Sequence, residues 1–427
     1  MPLNQLIRLP RVALAVSGGS DSMALAYLMS QTDGLREKTF AYTVDHGVRS
    51  DSHLEAQNVH KIVSELGISH RILKLDSLDD TKELSMRQAR YSKLLTAMNE
   101  DGVSTMVTAH TQDDCIETFV VRMLRGSGLF GLAGIQHTVE FNPFTWGGGQ
   151  VSFKVDSKNN INTGWTLMRP LISTKKSVLR EILVANNVPW FEDPTNQNVD
   201  IAERNLVRKM YYEYPEMIPE EFQAKNVLRL LGKLNMYREK CENEASQVST
   251  KILDSCQASD GSISLTEEHI HNLTEQSPDT LQLALRNILS PLSPLSDLSL
   301  RLHRLRDLTE RFQAAEKFNI AGVDFAPKKE GKMWELTREP PRNAADHVLH
   351  LSPGHVQLWD NRFFVSTDKS DATVEFIDWQ KHRDLFTTKE ELKTARAQKK
   401  KRNPLMVWPG GYSFPALDGG VLNTMPK

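Results

Sequence analysis

Two polar clusters in the chain carry side chains that could do chemistry. The first is Ser17-Gly18-Gly19-Ser20-Asp21-Ser22. It follows the apolar run Val12-Ala13-Leu14-Ala15-Val16 and precedes an amphipathic stretch containing Met23, Leu25, Leu28 and Met29. A short apolar run bounded by turn residues suits a buried strand. Glycines allow a tight turn and close approach of a ligand to the backbone, and exposed N–H groups at a helix start attract anions. The pattern therefore predicts a phosphate cradle. It is neither of two common cradles: the lysine of G-x-x-x-x-G-K-[ST] is missing, and so is G-x-G-x-x-G. Asp21 stands where phosphate charge would gather, and a divalent cation such as Mg²⁺ would reconcile carboxylate with phosphate. The plainer alternative is a Gly-Ser turn with Asp21 capping a helix.

The second cluster is Ala109-His110-Thr111-Gln112-Asp113-Asp114-Cys115-Ile116-Glu117-Thr118. A helix starting near Thr111 would line His110, Asp114 and Glu117 along one side by their spacing of four and three. A histidine with carboxylates on one edge suits Mg²⁺ binding and proton handling. Acids also favour the first turn of any helix through its dipole, which accounts for Asp113 and Asp114 without invoking a ligand. Next comes Arg122 to Gly134, arginines with four glycines, either a lid with glycine hinges or an ordinary long loop.

Strand-like and helix-like runs alternate around these clusters. Strands are expected at Val12–Val16, Thr39–Val44, Ser69–Leu75 and Thr105–Ala109, and helices at His53–Leu66 and Ser85–Met98, the latter carrying Arg87, Arg90 and Tyr91. This βαβ alternation predicts an α/β, doubly wound parallel sheet. Ligands of such sheets bind beyond the carboxyl ends of strands, where Ser17, Asp45 and His110 all fall. Asn142 to Gly164, with Gly147-Gly148-Gly149, reads as a surface insertion of hairpin character. Phe222–Ile252 and Asp279–Phe312 have helical spacing. After Lys317 come strand candidates at Phe318–Phe325, Lys332–Thr337 and His355–Ser366, with Trp359-Asp360-Asn361-Arg362 as a hairpin tip. The expected division is a catalytic domain over 1–215, a helical domain over 216–316 and a small β-rich domain over 317–427.

The 427 residues suffice for two or three domains, and 39% are hydrophobic. The net charge of −2 neither demands nor excludes a nucleic-acid partner, so RNA contact would need a local basic face. Lys393, Arg396, Lys399, Lys400, Lys401 and Arg402 form such a run, readable as a solvated face or as a phosphate-backbone contact. No apolar stretch has the length of a membrane span, and no membrane partner is expected. Cys115, Cys241 and Cys256 lie far apart, which argues against a disulfide framework or paired-thiol zinc site and for a reducing compartment. The N-terminal stretch lacks the long apolar region of a secretory signal; Arg8 and Arg11 without acids suit an organellar presequence or a plain solvated start.

Taken together, these stretches resemble the PP-loop ATP pyrophosphatases, whose loop has the form SGGxDS. Several resemble one branch, the tRNA(Ile)-lysidine synthetases: Val44-Asp45-His46-Gly47-Val48-Arg49, Arg87 with Ala89-Arg90-Tyr91, Ala109-His110 through Glu117-Thr118, and Leu124-Arg125-Gly126-Ser127-Gly128-Leu129-Phe130-Gly131-Leu132. Arg169-Pro170-Leu171, Glu192-Asp193-Pro194-Thr195-Asn196, Arg204-Asn205 and Arg208 also match. The order and spacing agree over the first half of the chain, and the second half agrees in layout alone. Thr111 stands where the family often has a second histidine, and the insertion at 142–164 is longer than in bacterial members.

The resemblance implies an adenine nucleotide alpha hydrolase-like fold. It also implies a ligase that joins lysine, through its ε-amino group, to C2 of the wobble cytidine of a CAU-anticodon tRNA(Ile). ATP would adenylate the C2 oxygen and release pyrophosphate, and AMP would leave as lysine attacks. The family pattern implies that Ser17, Gly18, Gly19, Ser20, Asp21, Ser22, Asp45 and His46 bind ATP, and that Asp21 and Asp114 hold Mg²⁺. It assigns Arg90 and Arg204 to phosphate or the adenylated intermediate, and His110 and Glu117 to orienting substrate or relaying protons. Partners implied are tRNA(Ile) and L-lysine, with no preference among oligomeric states. The compartment would be the cytoplasm in a bacterium; the insertion favours a mitochondrial matrix in a eukaryote. Rival readings are a tRNA thiolase, disfavoured by the lack of a CxxC pair, a small-molecule adenylating ligase, and an RNA-binding protein with an inactive nucleotide fold, disfavoured by the intact acids.

Overall fold

The computed structural model describes residues 3–45, 47, 52–75, 83–141, 153–154, 165–191, 203–256, 261–294, 308–328, 332–353, 355–360, 362–367, 371–409, 411–415 and 421–422. Its contacts divide the chain into two units, one of residues 1–149 and 164–239, the other of 150–163 and 240–427.

The first unit opens with α1 (Leu3–Leu6) and β1 (Val12–Ala15), which leads through the Ser17–Gly19 turn into α2 (Ser20–Ser30). There follow β2 (Thr39–Asp45), α3 (Ser52–Glu65), β3 (Ser69–Lys74), α4 (Glu83–Glu100), β4 (Thr105–Val107), α5 (Gln112–Leu124) and α6 (Leu129–Leu132). β5 (Thr138–Phe141), β7 (Trp165–Met168), α7 (Lys176–Ala185), α8 (Glu203–Glu213) and the start of α9 (Ala224–Ser255) complete it. The expected alternation is present, each element within a few residues of its expected bounds. The sheet order is β3-β2-β1-β4-β7-β5. Every pair is parallel except the edge pair β5–β7, which is antiparallel. Buried parallel strands must be apolar on both faces, and Val12, Ala13, Leu14, Met106 and Val107 are all fully buried. α2 packs Met23, Leu25 and Met29 against them, and α7 adds Leu179 and Leu183.

Strand order reverses at the neighbours β1 and β4: from β1 the chain goes to β2, and from β4 it goes on to the other side. The crevice beyond the carboxyl ends at such a switch point is where open α/β sheets bind ligands. The Ser17–Ser22 loop and the His110–Glu117 stretch leave from these two adjacent strand ends.

In the second unit, β8 (Ser262–Thr266) joins β9 (Phe318–Ile320), β10 (Val323–Lys328) and β11 (Met333–Arg338) in the antiparallel order β8-β11-β10-β9. The C-terminal half of α9, α10 (Glu267–Thr274), α11 (Pro278–Leu289) and α12 (Leu308–Ala314) cover that sheet with Ile252, Leu273, Leu285 and Phe312. The helical stretch and the first C-terminal strands thus share one core. Two further four-stranded sheets are built from β6 (Phe153–Lys154), β12 (Leu349–Leu351), β13 (His355–Trp359), β14 (Phe363–Ser366), β15 (Ala372–Phe376), β16 (Pro404–Trp408), β17 (Gly411–Ser413) and β18 (Val421–Leu422), in the orders β12-β15-β16-β17 and β18-β14-β13-β6. The hairpin tip expected at Trp359–Arg362 joins β13 to β14, with Asp360 at φ +52°.

Of the stretch at 142–164, expected to be a surface insertion of hairpin character, residues 153–154 are described. Its described part, β6 (Phe153–Lys154), pairs antiparallel with β13 through Phe153–Val356 and Lys154–His355. Among the described residues it forms the edge of the sheet β18-β14-β13-β6. The remainder of the insertion lies outside the described residues.

A candidate nucleotide site at the switch point

The loop after β1 is shaped by one backbone requirement. Gly18 has φ +86°, and a Cβ there would lie 2.8 Å from Cγ2 of Val59 and 3.5 Å from Cδ2 of Phe191. Only glycine meets both the left-handed conformation and the close approach. The Gly18 carbonyl accepts from the Phe191 N–H at 2.9 Å, which ties the loop to the segment after α7. Ser22 closes the turn: its hydroxyl donates to the Gly19 carbonyl at 2.9 Å and accepts from the Ser17 N–H at 3.2 Å. Gly19 is the N-cap of α2, and no side chain caps that end. The first-turn N–H groups of α2 thus stay available to an anion.

Asp21 lies in the first turn of α2, and its Oδ2 receives the Lys176 ammonium at 3.0 Å. Burial raises its pKa, the Lys176 charge and hydrogen bond oppose that rise, and the charge of Asp114 adds to it. Asp21 and Asp114 therefore sense each other electrostatically. In α5, Thr111 is the N-cap and Asp114 completes a capping box, with Oδ2 accepting from the Thr111 N–H at 2.7 Å and its hydroxyl at 2.8 Å. The helix begins at Gln112, so helical spacing joins Asp114 to Glu117 but does not extend to His110, whose Nδ1 lies 3.0 Å from the Thr108 hydroxyl.

Glu117 is buried and held at two points by Arg208, from Nε at 2.8 Å and from Nη2 at 2.9 Å. Burial raises its pKa, and Arg208 works against the rise. Arg204, one turn before Arg208 on α8, donates to the Thr118 hydroxyl at 3.2 Å. Asp45 is engaged locally: it accepts from the Ser52 hydroxyl at 2.8 Å and the Gly47 N–H at 3.1 Å. Burial works against its ionisation, yet these bonds and His53 hold its carboxyl below the usual range. Arg90 is exposed on α4. His46 and Glu192–Asn196 lie outside the described residues.

Three residues to which the sequence assigned no role join the site. Lys176 opens α7 and neutralises Asp21. Asp113 accepts from the Lys176 N–H at 2.8 Å and from the Tyr212 hydroxyl at 2.5 Å, so it staples the starts of α5 and α7 to α8. Arg208, a family-pattern residue with no role assigned, is the partner of Glu117. A lysine in the first turn of a helix runs against the helix dipole, and that misfit in Lys175-Lys176 was the available signal. The glycine-rich stretch after α5 is anchored rather than free: Arg122 donates to the carbonyls of Gly131 at 2.6 Å and Gly134 at 3.3 Å. Cys115 is buried, which pushes its thiol up to about 12, so it offers no thiolate at neutral pH.

The arrangement can take an anion on the α2 N-terminus and place carboxylates, a lysine and arginines beside it. Residues 3–213 match the family model described as a PP-loop domain. The first unit is accordingly a member of the PP-loop family, with an α/β parallel-sheet core. Within that family, the chain is similar to proteins named tRNA(Ile)-lysidine synthase. That of Hyphomonas neptunium is 32% identical over 49% of this chain and 53% of the relative. That of Bradyrhizobium diazoefficiens is 31% identical over 53% and 57%, and that of Mesorhizobium japonicum 37% identical over 45% and 40%. The chain spans about half the length of these relatives. Among solved structures, a U34-tRNA thiolase from Methanococcus maripaludis matches with a TM-score of 0.38 at 16% identity, over 54% of this chain and 75% of that one.

Proposed function

We propose that the chain is a tRNA(Ile)-lysidine synthase: it uses ATP to join L-lysine to C2 of the wobble cytidine of a CAU-anticodon tRNA(Ile), so that the anticodon reads AUA instead of AUG. The observation that carries this reading is the Ser17–Ser22 turn, with its left-handed Gly18, beside Asp21 and Asp114 at the β1/β4 switch point. The likeness to the named relatives supports the choice of substrate.

The chemical difficulty is the leaving group, because the C2 oxygen of cytosine does not depart as oxide. In the proposed reaction that oxygen attacks the α-phosphorus of ATP, an O–P bond forms and pyrophosphate leaves. The ε-amine of lysine, having lost its ammonium proton, then attacks C2; the C–O bond breaks and AMP departs. Backbone N–H groups of Gly19 to Ser22 and the serine hydroxyls hold phosphate oxygens. Arg204 supplies fixed donors to the phosphate or the adenylated base, and Arg90 is assigned the same task. His110 and Glu117 orient the cytidine or lysine and move the ammonium proton. Asp45 and His46 border the nucleotide.

Mg²⁺ suits this donor set. The ion takes hard oxygens and is commonly held by one or two carboxylates, with phosphates completing the shell. Asp114 directs only Oδ2 to Thr111, and Oδ1 takes no hydrogen bond among the described residues. Among the described residues no group of three or more His, Cys, Asp or Glu side chains converges to hold a metal alone, which suits a cation shared with phosphate. Asp21 and Asp114 would hold it, and it would supply charge neutralisation at the triphosphate.

No helix among the described residues is long and apolar enough to cross a membrane. The bacterial relatives favour the cytoplasmic over the mitochondrial reading. The proposed three-part division assigns tRNA contact to residues 216–316 and 317–427. The test is incubation with radiolabelled lysine, ATP, Mg²⁺ and a CAU-anticodon tRNA(Ile) transcript. Label in the RNA that is lost with Asp21→Ala is the expected result; label that persists in that variant contradicts the role of Asp21.

A further inference from the structure

We propose that Lys176 is a positioning residue that sets the cation affinity of the nucleotide loop, its ammonium competing with a divalent cation for Asp21. The inference rests on the PP-loop reading above and goes beyond it, because the loop pattern contains no lysine. The Lys176 Nζ sits 3.0 Å from Oδ2 of Asp21, and the two side chains are only 22% and 20% exposed. A cation arriving at that oxygen must displace the ammonium.

The lysine is placed there by construction rather than by the reach of a flexible side chain. Its backbone N–H is fixed by Asp113 at 2.8 Å, and the Gln112 N–H donates to the Thr174 carbonyl at 3.0 Å. Two hydrogen bonds thus hold the start of α7 against the start of α5. Asp113 is itself held by Tyr212. The helix dipole disfavours a cation at this position, so the acids around it determine its place. The same charge also acts on Glu117. The Lys176 charge thereby acts on two carboxylates, Asp21 and Glu117, of which Glu117 has its own partner in Arg208.

The consequence concerns order. While Lys176 holds Asp21, a bare divalent cation gains little at the loop. When the cation arrives with a triphosphate, the phosphates offer the displaced ammonium a new anionic partner. The loop then favours the metal–nucleotide pair over the metal alone.

The test is titration of the full chain with Mn²⁺, followed by the electron paramagnetic resonance signal of the free ion, first alone and then with ATP. Lys176→Met should bind Mn²⁺ alone at least about tenfold more tightly than the parent. This is the scale on which an opposite charge at such a distance changes a carboxylate's proton affinity. Lys176→Arg should stay within about twofold of the parent, and Asp21→Asn added to Lys176→Met should remove the gain. Lys176→Gln serves as the second neutral variant if Lys176→Met does not fold. Unchanged Mn²⁺ affinity in the folded neutral variant overturns the inference, as does loss of Mn²⁺ binding both alone and with ATP, which would make Lys176 part of the holding site. The parent with ATP tests the underlying reading separately: no ATP-dependent Mn²⁺ binding there overturns both, whereas such binding with an unresponsive Lys176→Met overturns this inference alone.

Discussion

Glu117 and Arg208, 91 residues apart in sequence, meet in a two-point ion pair at 2.8 and 2.9 Å. The contact fastens α8 to α5 and makes Arg208 the charged hydrogen-bond partner of the buried carboxylate. Breaking a buried pair by removing one member is strongly destabilising, because the other charge stays uncompensated. Arg208→Met should cost roughly 2–3 kcal/mol at pH 7, below the fully buried figure because solvent reaches the guanidinium. The sign of the pH dependence follows from burial, which raises the Glu117 pKa. A carboxyl with a raised folded-state pKa binds more protons folded than unfolded, so its contribution falls as pH rises. The deficit of Arg208→Met should therefore shrink between pH 7 and pH 5, as read from urea midpoints. A deficit that grows on acidification contradicts this.

Gly18→Ala should damage both stability and nucleotide binding. The new Cβ meets Cγ2 of Val59 at 2.8 Å in a backbone at φ +86°. Left-handed strain plus overlap costs on the order of 1–3 kcal/mol. Adding Val59→Ala removes the overlap and leaves the dihedral strain, so the double variant should recover part of the loss. Complete recovery in urea unfolding would show that the dihedral carries no cost.

The second unit should weaken in acid through Asp360. Its carboxylate is fully buried between Arg338 and Arg362, with contacts of 2.7 Å to each, and His347 at 3.2 Å. Burial opposes its ionisation, yet Arg362, His347 and Arg338 outweigh burial and hold its pKa at about 2. A depressed folded-state pKa contributes stability above the unfolded value, lost as pH falls through the folded one. The unit should lose about 2 kcal/mol between pH 4 and pH 2, and Asp360→Asn should flatten that slope in circular dichroism at the cost of lower stability at pH 7.

The basic run near the C-terminus should contact RNA. In α13 (Lys389–Lys401) the buried residues are Ala395 and Gln398, which leaves Lys393, Arg396 and Lys400 exposed at helical spacing. Glutamate at these three positions should weaken tRNA affinity, reduce its salt dependence by up to three phosphate contacts and leave ATP binding unaltered. Equal tRNA affinity in filter binding would return the run to an ordinary solvated face. A truncation near residue 340 is a poor substitute, since it would strip Asp360 from the buried Arg338.

Much of the first unit was legible because its signals are local. Val12 to Val16, the glycine turn and the amphipathic run after it lie within one strand–turn–helix segment, and β4 with the start of α5 repeats the pattern. Periodicity and punctuation report such segments directly. The partners inside the site were not legible in this way. Asp21 and Lys176 are 155 residues apart, and nothing in the local spacing of either names the other. The expected alignment of His110 with Asp114 and Glu117 applied helical spacing to a residue just outside the helix, because Thr111 takes the capping role and the helix begins at Gln112. The pairing of β6 with β13 was illegible for the same reason as the Lys176 contact: strand partners across two hundred residues are chosen by tertiary geometry.

In the proposed reaction a glycine turn and two carboxylates let an RNA base exchange oxygen for nitrogen. The most direct measurement is pyrophosphate release by the purified chain, with ATP and Mg²⁺, in the presence and absence of a CAU-anticodon tRNA(Ile) transcript and lysine. Release should require the transcript, with lysine entering the RNA in equal amount, and both should be lost with Asp21→Ala. Absence of transcript-dependent pyrophosphate from the folded parent chain would contradict the proposed reaction.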